Sequence, residues 1–159
     1  MSGSVSYRLI KPGEEQLVFG LVERVFDEFV RRDFTKEGIA NFLHVARAML
    51  FDQSAQHFVM VVESTGRLIG VIDVRESSHI SRFFVETTYQ RQGIGRQLLN
   101  EAVALCCGKK PSLTAIDVHS SLWAVSIYEK LGFIQTGPEE ERSGIRFVPM
   151  VKILKQPNG

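Results

Sequence analysis

Cysteine is scarce in this chain of 159 residues: there are two, Cys106 and Cys107, side by side. Adjacent cysteines cannot build a disulfide framework and match no metal-ligand spacing, so no metal is expected. The pair reads as buried or half-buried filler on a helix, and a reducing cytoplasm is the simplest compartment. No apolar run reaches the length of a membrane span. Met1 to Leu9 lacks the basic start and apolar core of a signal peptide. Charge of one sign is missing too. Lys and Arg number 19 against 18 Asp and Glu, a formal net charge of +1, so nothing suggests wholesale binding to nucleic acid or an anionic membrane. No repeat, low-complexity tract or charge block divides the chain, and residues 1–159 read as a single domain. What remains is ordinary for a globular protein, 44% hydrophobic and 23% charged, with enough chain to bury roughly 70% of its unfolded surface.

Periodicity supplies the elements. Val5 to Ile10 reads as a strand broken by Pro12-Gly13. Leu17, Val18, Leu21, Val22, Val25, Phe26 and Phe29 recur at helical spacing between Glu14 and Val30. Thr35 is placed to cap a second helix through Leu50, with Gly38 an awkward helical residue. Phe58 to Glu63 and Leu68 to Val74 are β-branched runs around Ser64-Thr65-Gly66-Arg67, a hairpin. Strands are expected at Ile80 to Val85, Leu113 to Val118, Phe133 to Thr136 and Ile145 to Ile153, where Pro149 implies an edge or a bulge. Helices are expected at Gly93 to Cys107, closed by Gly108 in the C′ position, and at Leu122 to Leu131 with Gly132 behind it. The run Glu139-Glu140-Glu141 reads as a solvated loop. The order β-α-α-β-β-β-α-β-α-β-β fits a mixed sheet with helices on both faces.

The segment Gln90-Arg91-Gln92-Gly93-Ile94-Gly95-Arg96 lies between a strand and a helix start. Backbone N–H groups at a helix N-terminus have no intrahelical partner, and the helix dipole adds partial positive charge. Glycines let a phosphate approach the backbone, and Arg91 and Arg96 add charged donors. The stretch therefore reads as a pyrophosphate cradle. A P-loop would need Lys-Ser or Lys-Thr after the glycines, and a dinucleotide fingerprint a third Gly or Ala where Leu98 stands. Neither is present.

The spacing Gln90-x-x-Gly93-x-Gly95, preceded by Phe83-Phe84-Val85, resembles the acetyl-CoA signature of the GNAT superfamily of N-acetyltransferases. Downstream, Ser120 to Phe133, ending Tyr128-Glu129-Lys130-Leu131-Gly132-Phe133, is similar to the family's other motif, in the same order and at about the same distance. The resemblance spans roughly Ser6 to Leu154. It implies the GNAT fold, a mixed, mostly antiparallel α/β (α+β) sheet flanked by helices. In that fold the strand before the Gly loop bulges and splays from the strand after the long helix, leaving a V-shaped gap for the pantetheine arm. It implies acetyl-CoA as cosubstrate, bound by Arg91, Gln92, Gly93, Ile94, Gly95 and Arg96 and by the Phe83, Phe84 and Val85 segment. Strand alternation puts Phe83 and Val85 on one face and Phe84 on the other. Tyr128 matches the family's acid, a phenol with an unperturbed pKa of about 10 that can protonate a departing thiolate; read from its helix alone, it is an amphipathic core residue.

Two positions depart from the family. Ser121 stands where many members have a cofactor-contacting Asn, and it is carried as a shorter cofactor contact. Ile116 stands where some peptide-acetylating members carry a Glu base. Candidate bases are Asp117, His119, His79, Asp73 and Glu63, and the base is left unassigned; His44 and His57 receive no role. The acceptor pocket would draw on Phe26, Phe29, Arg31, Arg32, Phe34, Arg142, Arg146 and Phe147; arginines facing it would favour a carboxylate-bearing acceptor. The leading expectation is acetyl transfer to a primary amine of a small molecule or peptide, by a protein that is a possible homodimer. The alternative is a catalytically idle acyl-CoA-binding regulatory module. A toxin-type enzyme acting on aminoacyl-tRNA would call for a basic surface, which the balanced charge does not suggest.

Overall fold

The β-branched runs are buried along almost their whole length, with Val61, Val62, Ile69 and Ile72 fully inaccessible. A sheet built from them must therefore be covered on both faces. The structure, a computed structural model, describes residues 4–154; the outermost bounds of the expected domain lie outside these. The order is β1 (Val5–Leu9), α1 (Glu15–Phe29), α2 (Lys36–Met49), β2 (Phe58–Ser64), β3 (Arg67–Arg75), β4 (His79–Val85), α3 (Ile94–Lys109), β5 (Ala115–Ser120), α4 (Val125–Lys130), β6 (Ile134–Gln135), β7 (Glu140–Arg142) and β8 (Ile145–Ile153). Short 3-10 turns lie at Arg31–Asp33 and Thr87–Tyr89. The sheet runs β1-β2-β3-β4-β5-β8-β6, with β7 paired to β8. Every pairing is antiparallel except β4 with β5.

On one face, Ile69, Ile72, Val74 and Ile80 pack against Leu98, Leu99 and Ala102 of α3 and Tyr128 of α4. On the other, Val59, Val61, Val71 and Phe84 meet Val18, Val22, Val25 and Phe26 of α1 and Ala46 of α2. The expected split of Phe83 and Val85 from Phe84 holds: the first two pack with the α3 face and Phe84 with the α1 face. No helix among the described residues is long and apolar enough to cross a membrane.

The centre of the sheet is where it opens. β4 and β5 pair only at His79↔Asp117 and Ile80↔Val118. Directly beyond, Ile80 pairs with Val74 and Arg82 with Asp73, so Ser81 is an unopposed bulge on β4. A bulge bends its strand and increases the twist, which turns β4 away from β5. A buried clamp holds the bend. Asp73 accepts from Arg82 Nε and Nη2 at 3.1 and 2.9 Å, and its second oxygen lies 2.7 Å from His57 Nε2. His57 Nδ1 lies 2.9 Å from the Asp52 carbonyl. The three side chains are 1%, 7% and 3% exposed for Asp73, Arg82 and His57. Removing Asp73 would leave the buried Arg82 charge without its partner, at a cost of about 3–5 kcal/mol.

Several expectations are corrected. Glu139-Glu140-Glu141 is not wholly loop, because Glu140–Arg142 forms β7 on β8. α3 continues through Gly108 to Lys109, and Lys110 is its C-cap, so Gly108 is helical rather than C′. β8 is an interior strand with no bulge at Pro149, paired there to His119. The Pro149 carbonyl accepts from Thr136 N–H, so the missing donor falls on the side of two-residue β6, where little ladder exists to lose. Gly38 also finds its reason. A Cβ there would run into the Gly144 carbonyl of the β7–β8 turn, which accepts from Thr35 N–H at 3.0 Å. Thr35 caps α2 as expected, its hydroxyl accepting from Gly38 N–H at 3.1 Å.

Gly38→Ala is accordingly expected to cost about 1–3 kcal/mol of stability, read as a lower thermal midpoint. A second expectation concerns His57. Burial opposes its charge, but the hydrogen bonds to Asp73 and the Asp52 carbonyl, with both carboxylate charges, outweigh it and raise its pKa. A raised folded pKa means the contribution is complete below the unfolded value of about 6.5 and is lost as pH rises through the folded value. Thermal unfolding should therefore show stability declining above about pH 6.5, with a slope that His57→Gln removes. Equal slopes in the two proteins would contradict the clamp.

Candidate active site

The loop after β4 is braced from within. Gln90 Nε2 donates to the Val85 carbonyl at 2.9 Å, and Gln92 Nε2 to the Thr88 carbonyl at 3.1 Å. Arg91 and Gly93 take positive φ, 63° and 82°, a conformation natural for Gly93 and strained for Arg91. Gly93 is the N-cap of α3 and no side chain caps the helix, so its first N–H groups are left for another partner. Arg96 Nη2 donates to the Lys130 carbonyl at 3.0 Å, tying the start of α3 to the end of α4.

Between these tied ends a cleft of about 360 Å³ runs from Arg91, Gly93, Gly95 and Arg96 to Val85 and Tyr128. A second cleft, about 320 Å³, opens on the α2 side past Arg75, His79, Ser81 and His119. The two share Phe83, Phe84, Trp123, Ala124 and Tyr128. They meet where β4 has left β5. Trp123 stacks on Phe29 of α1, ring centroids 4.1 Å apart, and so bridges the two sides of the sheet's open centre.

Tyr128 stands at this junction. Its ring is 6% exposed, edge-on to Phe133 at 5.1 Å and to Phe83 at 6.1 Å. Its hydroxyl has no hydrogen-bond partner among the described residues. Burial pushes the phenol pKa up, so the group carries its proton at neutral pH. The core packing read from its helix and a place in the cleft are thus both occupied by the same residue.

Histidines gather on the α2 side. His79 Nδ1 lies 2.8 Å from Asp117 Oδ2, the two being register partners across β4 and β5. The His119 ring is edge-on to His79 at 4.9 Å and stacked on Phe147 at 4.4 Å. Burial and the charge of His79 lower the His119 pKa, against the pull of Asp117. Burial raises the Asp117 pKa, but the His79 hydrogen bond and charge outweigh it, with a net lowering. Ligand-capable atoms of His79, Asp117 and His119 lie within 4.8 Å of one another, the one such group among the described residues. Their closest contact is at hydrogen-bond length.

The other expected residues divide. Phe83, Phe84, Val85, Arg91, Gly93, Gly95 and Arg96 line the first cleft. Gln92 braces the loop, and the Ile94 side chain is buried in the core. Ser121 lines the second cleft instead, its hydroxyl accepting from Ala124 N–H at 3.2 Å at the turn into α4. Among candidate bases, His79 and His119 line the second cleft, Asp117 sits behind His79, Asp73 is engaged by Arg82 and His57, and Glu63 pairs with Arg8 at 2.6 Å on β1 and β2. Ile116 is core. Cys106 is buried, which pushes its thiol up to about 11. Trp123 was not anticipated as part of the site, nor were His57 and Arg82. No local pattern marks His57 and Arg82, because the clamp is assembled across three strands by the β2–β3 and β3–β4 pairings.

The family model of the acetyltransferase (GNAT) domain matches residues 30–154. Similar solved structures include a GCN5-related N-acetyltransferase from Rhodopseudomonas palustris, TM-score 0.79 at 15% identity over 97% of this chain and 98% of that one. PaiA N-acetyltransferase from Thermoplasma acidophilum, in complex with coenzyme A, gives 0.76 at 16% identity over 95% and 99%. Spermidine N-acetyltransferase from Vibrio cholerae, in complex with CoA and spermine, gives 0.62 at 19% identity over 94% and 95%. The matched span covers both motifs, the bulged strand and the opened sheet centre, and the chain belongs to the GNAT acetyltransferase family.

Proposed function

We propose that this protein is an acetyl-CoA-dependent N-acetyltransferase that moves the acetyl group directly onto a primary amine. The observation that carries the reading is the junction at Tyr128. A protonated phenol stands where a cleft from an uncapped, glycine-rich helix start meets a second cleft open on the opposite face of the sheet. The fit to coenzyme A rests on three features. The first N–H groups of α3 and the Arg91 guanidinium suit a pyrophosphate. A Cβ on Gly95 would meet Phe83 at an ordinary 3.7 Å, so packing alone does not require glycine there, whereas close approach of a phosphate does. Past Ile80, β4 has lost β5 as a partner, and the backbone of Phe83 and Val85 suits the pantetheine amides as a pseudo-strand. Gln92 and Ile94 would contribute through their backbone. Ser121, on the acceptor side, would contact the cofactor only near its acyl end.

Acetyl-CoA supplies an acyl thioester, and transfer forms an N–C bond as the C–S bond breaks. Tyr128 holds the proton that the leaving sulfur needs. His119, kept neutral by its lowered pKa, is suited to take the proton from the amine. Asp117 orients His79 against the His119 ring. Phe29 and Trp123 stack beside the junction as an apolar wall. The idle-module alternative is not favoured, since a binding module needs no buried phenol where the clefts meet.

Trp123 is the single tryptophan, so acetyl-CoA should give a saturable change in intrinsic fluorescence, matched by calorimetry. Tyr128→Phe should bind acetyl-CoA within a few-fold of the parent while CoA release on an acceptor amine falls by about 10²-fold. Folded protein with neither a fluorescence change nor a heat of binding would refute the reading; unchanged turnover in Tyr128→Phe would remove the acid from it.

A further inference from the structure

The acceptor cleft has an uneven charge lining. Arg75, Arg82, Arg142 and Arg146 line it together with His79 and His119, and no Asp or Glu is among its lining residues. The carboxylates nearby are turned to their own partners. Asp73 is held by Arg82 and His57, Asp117 by His79, Glu140 by Arg142 at 3.0 Å and Glu139 by Arg146 at 2.8 Å. Arg75 alone of the four arginines forms no ion pair among the described residues. Its charge, with that of Arg142, reaches His119. A polycation would meet a positively charged lining that itself contributes no carboxylate. An anionic group would find the Arg75 guanidinium fork there.

Position adds a length. Arg75 is the register partner of His79 at one end of β4, and Phe83 stands at the junction of the clefts four residues further along. At about 3.3 Å per strand residue, less the shortening at the Ser81 bulge, the two points lie on the order of 10 Å apart. Between them and the helices, Phe34, Phe42 and Phe147 offer an apolar wall. From these features we infer that the acceptor is an elongated amino carboxylate, with an apolar body on the phenylalanines and a carboxylate at Arg75 remote from the amine at Tyr128. This deepens the acetyltransferase reading and rests on it. It sets the acceptor apart from polyamines, which are linear and cationic throughout, and from short α-amino acids, whose carboxylate adjoins the amine.

The test is a thiol-release assay with acetyl-CoA and ω-amino carboxylates of increasing chain length, their carboxamides and the matching diamines. Acceptor binding to the CoA-saturated protein is measured in parallel. Carboxylates should exceed their carboxamides by about tenfold in kcat/KM and in binding, roughly one Arg–carboxylate contact, with an optimum where the amine and carboxylate are about 10 Å apart. Diamines should be the poorest. Arg75→Gln should bring the carboxylate-to-carboxamide ratio toward one, and Arg75→Lys should keep part of it. Diamines or carboxamides equal to or better than carboxylates, or a ratio untouched by Arg75→Gln, would overturn the inference while leaving the acetyltransferase standing. Failure of the folded protein to bind acetyl-CoA would overturn both.

Discussion

The site depends on one geometric constraint: β4 cannot follow β5. The two strands share only the pairs at His79 and Ile80 before the Ser81 bulge turns β4 away. Everything downstream uses that parting. It frees the β5-facing backbone of Phe83 and the N–H of Val85, it lets the clefts on opposite faces meet, and it leaves Tyr128 able to be both core residue and cleft wall. An opened sheet centre is costly, since it forgoes ladder hydrogen bonds and exposes apolar surface. The buried Asp73–Arg82–His57 clamp answers it by fixing β4 to β3 on the residue after the bulge. A buried ionic trio is a weak source of net stability but a strong determinant of one geometry over its alternatives. The Ser81 hydroxyl is the one buried side-chain polar atom among the described residues that lacks a hydrogen-bond partner, a small cost at the same spot.

Two proton carriers face this opening in opposite states. Burial raises the Tyr128 pKa, and burial together with His79 lowers that of His119. Burial keeps the phenol protonated, whereas for the imidazole partial burial acts together with the positive charges of His79, Arg142 and Arg75 to favour the neutral form. An acyl transfer from sulfur to an amine needs an acid on one side and a base on the other. On the proposed reading, Tyr128 and His119 fill these two places. Arg75 and Arg142 in the lining of the outer cleft add to the His119 shift.

Much of this was legible in the sequence because it is local. The helical spacing of Leu17 to Phe29, the Thr35 cap, the Thr65-Gly66 hairpin with both residues at positive φ, and the uncapped Gly93 each follow from a handful of neighbouring residues. The motif order placed the GNAT fold and the cleft-lining loop. What the sequence hid is long-range. Gly38 looks like a poor helical residue until the Gly144 turn is seen lying against it. Pro149 reads as an edge signal until β6 is found to be two residues long. His57 is an unremarked histidine until the β2–β3 pairing sets the start of β2 beside Asp73. Ser121, matched to the family by spacing, turns its hydroxyl to the Ala124 N–H and lines the other cleft.

The most direct measurement is a crystal structure of the protein with coenzyme A. The account predicts the pyrophosphate against the backbone N–H groups of residues 93–96, the pantetheine arm alongside Phe83 and Val85 in the gap between β4 and β5, and the sulfur within hydrogen-bond reach of the Tyr128 hydroxyl. Coenzyme A bound elsewhere, or a sulfur remote from Tyr128 with the gap closed, would contradict it.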